Sequence, residues 1–281
     1  MMRLLVTGGS SYLGRHLVPL ALPDFEVLYT FFQHDPLGLP GGRCLNVQDE
    51  TAVSQLVTTF QPDVIIHLAG SNRGADMADV IVQGAAYVTQ AARQVNARLI
   101  HLSTDCVFSG LEPPYHETAV PTPVNAYGRA KTEAEAIIQQ HPHHVIVRTS
   151  LIYSLEKMDH GTQWMAAALQ KGEPVTLFDN QIRNPVWAES LSRACLELAA
   201  HFYTGVLHVA GSQVMTRAAF SLKMLDWWNV SQRETLIIGP STGTNWPLDL
   251  TFDISRATAV LRTPLPGVDE VLKTAVSHPA S

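Results

Sequence analysis

Apolar positions in the first 150 residues follow two alternating rhythms. Short, nearly continuous apolar runs recur as RLLVTG (Arg3–Gly8), FEVLYTFF, PDVIIHLAG, ARLIHLST and HHVIVRTS. Such runs are the pattern of strands buried on both faces. Between them, SYLGRHLVPLAL, DETAVSQLVTTF, DVIVQGAAYVTQAARQVN and YGRAKTEAEAIIQQ carry apolar residues at helical spacing. Asp49 or Thr51 marks the start of the second of these helices. Strand and helix in strict alternation predict an α/β fold with a parallel, doubly wound sheet.

The rhythm changes after Ser150, where Gly, Pro, Trp and Asn become more common and the strand candidates shorten. GEPVTLF and GVLHVAG read as strands, and MAAALQ, SLSRACLELAAHF and RAAFSLKMLDWW as helices. RTPLPGVDEVLKTAV closes on one more helix. The predicted organisation is a dinucleotide-binding domain over 1–150, with 186–210 returning to it. A smaller C-terminal α/β substrate lobe is expected over 151–185 and 211–281. Ligands of such sheets bind beyond the carboxyl ends of the strands, so this lobe is expected to close that crevice. Trp227 and Trp228 are read either as a subunit contact in a homodimer or as a buried helix face.

Composition narrows the function classes. The 281 residues are 46% hydrophobic and 16% charged, so burial is not limiting. A formal net charge of -6 and the lack of a Lys/Arg-rich block argue against a nucleic-acid or membrane partner. Cys44, Cys106 and Cys195 are odd in number and widely spaced, which argues against disulfides or a zinc site and for a reducing compartment. His141, His143 and His144 surround Pro142 and read as a solvated turn rather than a metal cluster. The opening MMRLLVTGGS has too short an apolar run for a signal peptide or a span, and a cytoplasmic location is expected.

Two motifs carry candidate chemistry. VTGGSSYLGRHL follows the first strand and opens the first helix, with Gly8, Ser11 and Gly14 at the positions of a Rossmann glycine triad. Glycines there allow a tight turn and close approach to a pyrophosphate, which the helix N-terminus attracts. Ser11 adds a side chain in the middle position, and its hydroxyl is free to donate to a phosphate. The second strand ends TFFQHD, so Phe32 and Gln33 stand where an acidic residue would select NAD or an Arg would select NADP. Asp35 and Arg15 are alternatives, and the choice between NAD and NADP stays open.

The second motif joins STD (Ser103–Asp105) to Tyr127 and Lys131, which lie at i and i+4 on a predicted helix. An adjacent ammonium lowers a phenol's pKa, and Thr104 at a strand's carboxyl end can hold a carbonyl oxygen. Together the three can protonate a ketone as hydride arrives on carbon. This chemistry calls for no metal.

The segments TGGSSYLG, PDVIIHLAG, STDCVFSG, PPYHET, PVNAYGRAK, VIVRTSLIY, NQIRNPVWAESL and PLDLTFDISRA resemble the extended short-chain dehydrogenases/reductases. Within that group, the chain resembles the dTDP-4-dehydrorhamnose reductases along essentially its whole length. The resemblance implies NADP- or NAD-dependent reduction of a 4-keto group on a nucleotide-linked 6-deoxysugar, with NADP slightly favoured. It implies Thr104, Tyr127 and Lys131 as the catalytic set. Around the cofactor it implies Gly8, Ser10, Ser11, Tyr12, Leu13, Gly14, Phe32, Asn46, Val47, Leu68, Ala69, Gly70, Leu102 and Thr149, with Tyr127 and Lys131. Asp105, Val107, Tyr153, Arg183 and Trp187 are implied on the substrate side. The chain departs from the family pattern at Ser11, at Phe32 in place of Arg, and at Asn46 in place of Asp. It departs again at Ile81 in place of Asn and at Cys106 in place of Tyr. Relatives with other roles keep two alternatives open: an epimerase or dehydratase, and a nucleotide-binding regulatory partner such as the methionine adenosyltransferase subunit.

Overall fold

The computed structural model describes residues 1–70, 74–243 and 245–277. Its first half is built from β1 (Met2–Thr7), α1 (Gly14–Ala21), β2 (Phe25–Phe31), β3 (Gly42–Cys44), α2 (Glu50–Phe60), β4 (Val64–His67), α3 (Met77–Gln94), β5 (Arg98–Thr104), α4 (Ala126–Ile138) and β6 (His144–Thr149). The second half adds β7 (Ile152–Tyr153), α5 (His160–Gln170), β8 (Val175–Phe178), β9 (Ile182–Arg183), β10 (Val186–Trp187), α6 (Ala188–Ala199), β11 (Gly205–His208), β12 (Met215–Thr216), α7 (Arg217–Trp227), β13 (Leu236–Gly239), α8 (Ser255–Val260) and α9 (Val268–Ser277).

One seven-stranded sheet organises the chain, in the order β11-β6-β5-β4-β1-β2-β3. Every pairing in it is parallel. The order reverses at β1, which lies between β4 and β2, so the crevice beside the end of β1 is the expected ligand position. Alternate residues of each strand feed two cores. Leu4, Val6, Ile66, Ile100 and Val147 pack with α1 and α6 on one face. Leu5, Ile65, Leu99 and Ile146 pack with α2, α3 and α4 on the other. Burying one such side chain contributes about 1.5–3 kcal/mol. The alternation explains why these strands read as continuous apolar runs.

Caps set several helix starts. The Asp49 carboxylate accepts from Ala52 N at 3.0 Å, so Asp49 caps α2 and Thr51 lies within it. Asn125 caps α4 by accepting from Gly128 N at 2.8 Å. The sequence pattern did not separate out β3, α8 or the two-residue strands.

Beyond β6 three two-stranded sheets form, β10-β7, β12-β9 and β13-β8. Met165, Leu169, Val175, Leu177 and Leu225 make a separate small core there. Trp228 packs around Tyr153, Phe220 and Met224, while Trp227 Nε1 donates to Leu155 O at 3.0 Å. Both tryptophans, at the end of α7, thus make contacts within the chain and remain half-buried. In 255–265, expected in the lobe, Ala257 and Leu261 join the core of α1 and α6. Among the described residues no helix is long and apolar enough to cross a membrane.

Candidate active site

The glycine loop between β1 and α1 is held tightly against the end of β4. Gly8 adopts φ +73°, and a Cβ there would lie 2.6 Å from Ala69 N, so position 8 needs glycine on both counts. Gly8 N donates to Thr30 Oγ1 at 3.1 Å, tying the loop to β2. Ser11 Oγ accepts from Gly14 N at 3.1 Å, which leaves its own proton free for an acceptor above the loop. The middle-position serine thus replaces a glycine without opening the turn.

Above this loop lies a cavity of about 280 Å³ lined by Gly8, Ser10, Ser11, Phe32, Asn46, Val47, Leu68, Ala69 and Gly70, among others. These nine of the residues expected around a cofactor therefore meet at one crevice, at the switch point of the sheet. Thr30, Leu45, Gln48, Asp76 and Val80 also line it and were not foreseen. The free N–H groups of a helix start, two serine hydroxyls and an apolar slot suit a dinucleotide's phosphates and adenosine.

Other expected cofactor contacts sit elsewhere. Leu13 is 2% exposed and buried in the core under α1. Thr149 is buried, and its hydroxyl donates to Val209 O at 2.8 Å. Gly14 is enclosed beneath the loop. Tyr12 turns outward, and its hydroxyl donates to Lys157 O at 2.6 Å, latching the glycine loop to the segment after β7. The Arg15 guanidinium stacks over the Tyr12 ring at 5.8 Å. Asp35 accepts from Tyr29 Oη at 2.7 Å and from Leu37 N at 3.0 Å, so it braces the β2–β3 loop. Phe32, 57% exposed, is left at the end of β2.

The catalytic candidates assemble at the carboxyl end of β5. Thr104 Oγ1 accepts from Cys106 N at 3.2 Å, capping the short 3-10 turn Asp105–Val107. The start of α4 is pressed on that turn: a Cβ on Gly128 would lie 2.1 Å from Cys106 O, so only glycine fits beside Tyr127. That packing seats Tyr127, in the first turn of α4, beside the turn that Thr104 caps. Lys131 Nζ donates to Leu102 O at 2.7 Å, two residues back along β5.

The electrostatics correct one expectation. Burial, then Cys106 and Asp105, push the Tyr127 phenol above its ordinary value, with only the Thr104 hydrogen bond opposing. Lys131 was expected to lower it, but its amine is engaged on the strand carbonyl instead. Burial also holds Lys131 itself down to about 8, against a favourable contribution from Glu135. Burial and Asp105 push the Cys106 thiol up to about 12. At neutral pH the site therefore presents a protonated phenol and an unreactive thiol.

On the substrate side, Asp105 Oδ1 lies 3.2 Å from Thr104 Oγ1, and Asp105 Oδ2 accepts from Ser150 Oγ at 2.7 Å. Arg183 Nε stands 3.5 Å from Asp105 Oδ2. The rest of its fork donates to Ile182 O, Leu248 O and Pro247 O. Arg183 thus ties the 247–248 segment to the end of β5. Val107 and Tyr153, expected on the substrate side, are each 0% exposed. Val107 is turned inward onto Phe108, Tyr115 and Phe252, and Tyr153 onto Phe220. Trp187 packs against the Tyr153 cluster at the start of α6.

Sequence reasoning missed Arg217. This largely enclosed guanidinium opens α7, donates to Gln181 Oε1 at 3.0 Å and feels repulsion from Arg183. A cation at a helix N-terminus opposes the helix dipole. The signal was visible in Met215–Arg217 as a basic residue directly after the capping Thr216.

This fold and site define an α/β protein of the extended short-chain dehydrogenase/reductase type, with a Tyr-x-x-x-Lys helix beside a glycine-rich dinucleotide loop. The RmlD substrate binding domain family matches residues 2–251, and the chain belongs to that family. It is 30% identical over 256 residues to the dTDP-4-keto-6-deoxy-D-glucose reductase of Streptomyces niveus, covering 88% of this chain and 82% of that one. It is also 28% identical over 273 residues to methionine adenosyltransferase 2 subunit beta of Xenopus laevis, covering 90% and 81% of the two chains. In three dimensions it resembles dTDP-4-dehydrorhamnose reductase of Bacillus anthracis in complex with NADP. That match has a TM-score of 0.80 at 23% identity and covers 98% of this chain and 97% of the other.

Proposed function

We propose that this protein is an NAD(P)H-dependent reductase of a nucleotide-linked 4-keto-6-deoxysugar. The observation that carries the reading is the start of α4, with Tyr127 and Lys131, pressed onto the end of β5 at Thr104 in a sheet whose β1 end carries the glycine loop. The family and the Streptomyces niveus relative support the same chemistry.

Gly8, Ser10, Ser11 and the start of α1 would hold the pyrophosphate of the dinucleotide, with Phe32, Asn46, Val47 and Leu68 around its adenosine. When bound, the nicotinamide supplies the hydride. Thr104 orients the ketone oxygen by hydrogen bonding. Tyr127 Oη gives that oxygen its proton, and the Lys131 ammonium, held on Leu102 O, would bind the ribose of the dinucleotide. General acid catalysis of this kind contributes about 10²–10⁴-fold. Arg217, with its charge only partly answered by neutral Gln181, is the partner for a diphosphate on the substrate. Residues 151–185 and most of 211–281 form the lobe that receives the sugar nucleotide. NADP and NAD both fit a crevice with neither an acid nor an arginine at the end of β2.

The test is oxidation of NAD(P)H, followed by absorbance, on addition of a dTDP-4-keto-6-deoxysugar. Tyr127→Phe is expected to abolish turnover while retaining NAD(P)H binding, and Arg217→Gln to raise KM more than it lowers kcat. Wild-type turnover by the phenylalanine variant rejects Tyr127 as the acid. A second reading rests on the methionine adenosyltransferase subunit relative together with Ile81 and Ser11: a nucleotide-binding partner of another enzyme. A chain that binds NAD(P)H, reduces no ketosugar and copurifies with another enzyme favours that reading.

A further inference from the structure

Three consecutive residues of β5 each meet one turn of α4. The turn capped by Thr104 packs on Gly128 next to Tyr127, the Leu102 carbonyl accepts from Lys131, and the Ser103 hydroxyl donates to Glu135. Tyr127, Lys131 and Glu135 lie at i, i+4 and i+8, so they share one face of the helix. Glu135 is 1% exposed, and none of the steps proposed for the reductase uses it.

Its carboxylate is fully engaged. Arg148 of β6 donates to it through Nε at 3.0 Å and Nη2 at 2.7 Å, in a two-pronged contact. The Arg148 guanidinium lies 5.0 Å over the Phe108 ring, and Phe108 ends the turn that Thr104 caps. A buried pair like this adds little net stability over a well-packed apolar pair. What it does fix is position and charge.

The surroundings of Lys131 sharpen the point. His67 of β4 and His101 of β5 face it, and burial keeps both imidazoles uncharged. Ile81, Ala85 and Val88 of α3 line the same core and carry no charge. Arg148 of β6 is a like charge, and Tyr127 is a protonated phenol. Among the described groups facing Lys131, Glu135 is the one anion.

We propose that Glu135 is the positioning residue of the Tyr127–Lys131 pair. Clamped by Arg148 and Ser103, it sets the register of α4 on β5 and supplies the negative charge that keeps Lys131 an ammonium. This rests on the reductase reading for Lys131's role, and it extends that role to a residue which touches neither substrate nor cofactor.

The test compares wild type, Glu135→Gln and Glu135→Asp from pH 6 to pH 10. NADPH binding is read by fluorescence, kcat/KM by NADPH oxidation, and folding by thermal unfolding. The glutamine variant keeps the shape and loses the charge. Its alkaline limb is expected to move down by about one pH unit in both binding and kcat/KM. A folded glutamine variant with an unmoved limb overturns the proposal. The aspartate variant keeps the charge on a shorter arm. It is expected to lose kcat several-fold with its alkaline limb in the wild-type position, and a limb displaced downward by about one pH unit overturns the proposal. That arm decides the matter if the glutamine variant does not fold. Failure of the reductase reading looks different: the wild type binds NADPH with an alkaline limb yet reduces no ketosugar, and the binding arm still reports on Glu135.

Discussion

The amine of Lys131 donates to the carbonyl oxygen of Leu102 at 2.7 Å, one strand residue away from the hydroxyl-bearing pair Ser103 and Thr104. A lysine was expected to lie against the phenol four residues earlier on the helix. It is instead drawn into the seam between α4 and β5, where a backbone acceptor satisfies one of its three donors.

Burial at this position has a stability consequence. Lys131 is held down to about 8 from an ordinary 10.5. A folded-state value below the unfolded one means that between pH 8 and 10.5 the unfolded chain binds the extra proton. Stability from this group therefore rises with pH across that window, and below it the full cost of burying the charge is present. That cost is on the order of 3 kcal/mol at pH 7. Lys131→Met is expected to unfold at a higher temperature than wild type at pH 7, with the advantage shrinking as pH rises above 8. Thermal unfolding at pH 7, 8.5 and 10 checks it, and a variant less stable than wild type at pH 7 contradicts it.

The contact between Gly128 and the Asp105–Val107 turn gives a second expectation. A methyl at position 128 would stand 2.1 Å from Cys106 O, and the atom it meets is backbone. Gly128→Ala must therefore move the first turn of α4, which carries Tyr127, away from Thr104. Turnover is expected to fall by about 100-fold, since misplacement of about 1 Å costs that much. Most of the dinucleotide crevice lies on other elements, so NAD(P)H affinity is expected to fall far less than turnover. Paired kinetic and fluorescence titrations check both halves.

Cofactor choice can be approached through two residues at the end of β2. Asp35 holds Tyr29 Oη and Leu37 N, so Asp35→Asn is expected to weaken the fold without altering the ratio of NADPH to NADH affinity. Phe32 lines the crevice and is largely exposed, so its replacement is free of packing cost. Phe32→Arg adds a guanidinium where a 2′-phosphate would lie and is expected to shift the affinity ratio towards NADPH by about 10-fold. Direct binding titrations with both dinucleotides measure it.

The sheet and its helices were legible because its central strands β1, β4, β5 and β6 are buried on both faces and each helix on one. The residues of the glycine loop and of Ser103–Asp105 could be placed for a related reason: they follow the carboxyl ends of the buried strands β1 and β5. Two-residue strands such as β9 and β12 hold too few residues to show a period, so the lobe blurred. Val107 and Tyr153 show a further limit. The family resemblance implied both on the substrate side, but a 3-10 turn and a short strand direct those side chains into apolar cores. Arg217 escaped because its meaning depends on Gln181 and Arg183, which only the fold brings near. The direction of the phenol's shift was misjudged because a helix spacing says nothing of how deeply the face is buried.

Acid stability is expected to be governed by three enclosed histidines. His67, paired with Thr7 Oγ1 at 2.6 Å, is held down to about 3 by burial and by Lys131. His101, whose ring lies 5.2 Å from that of His67, is lowered well below 6.5 by burial, Lys131 and His67. His208, stacked on Phe252 at 4.1 Å, is held down to about 3 by burial and Arg148. Between pH 6.5 and 3 the unfolded chain binds protons that the folded chain refuses, so stability falls as pH falls. Each histidine contributes up to about 1.4 kcal/mol per pH unit, and the window from pH 6.5 to 5 precedes most carboxylate titration. Neither ring nitrogen of His101 has a hydrogen-bond partner among the described residues, so His101→Leu exchanges orphaned polar atoms for apolar volume. The variant is expected to match or exceed wild-type stability at pH 7.5 and to lose it less steeply on acidification, by about one proton's worth of slope. Urea unfolding midpoints from pH 7.5 to 5 measure both slopes. Parallel lines for the two proteins would mean that His101 takes up its proton in the folded state as readily as in the unfolded one.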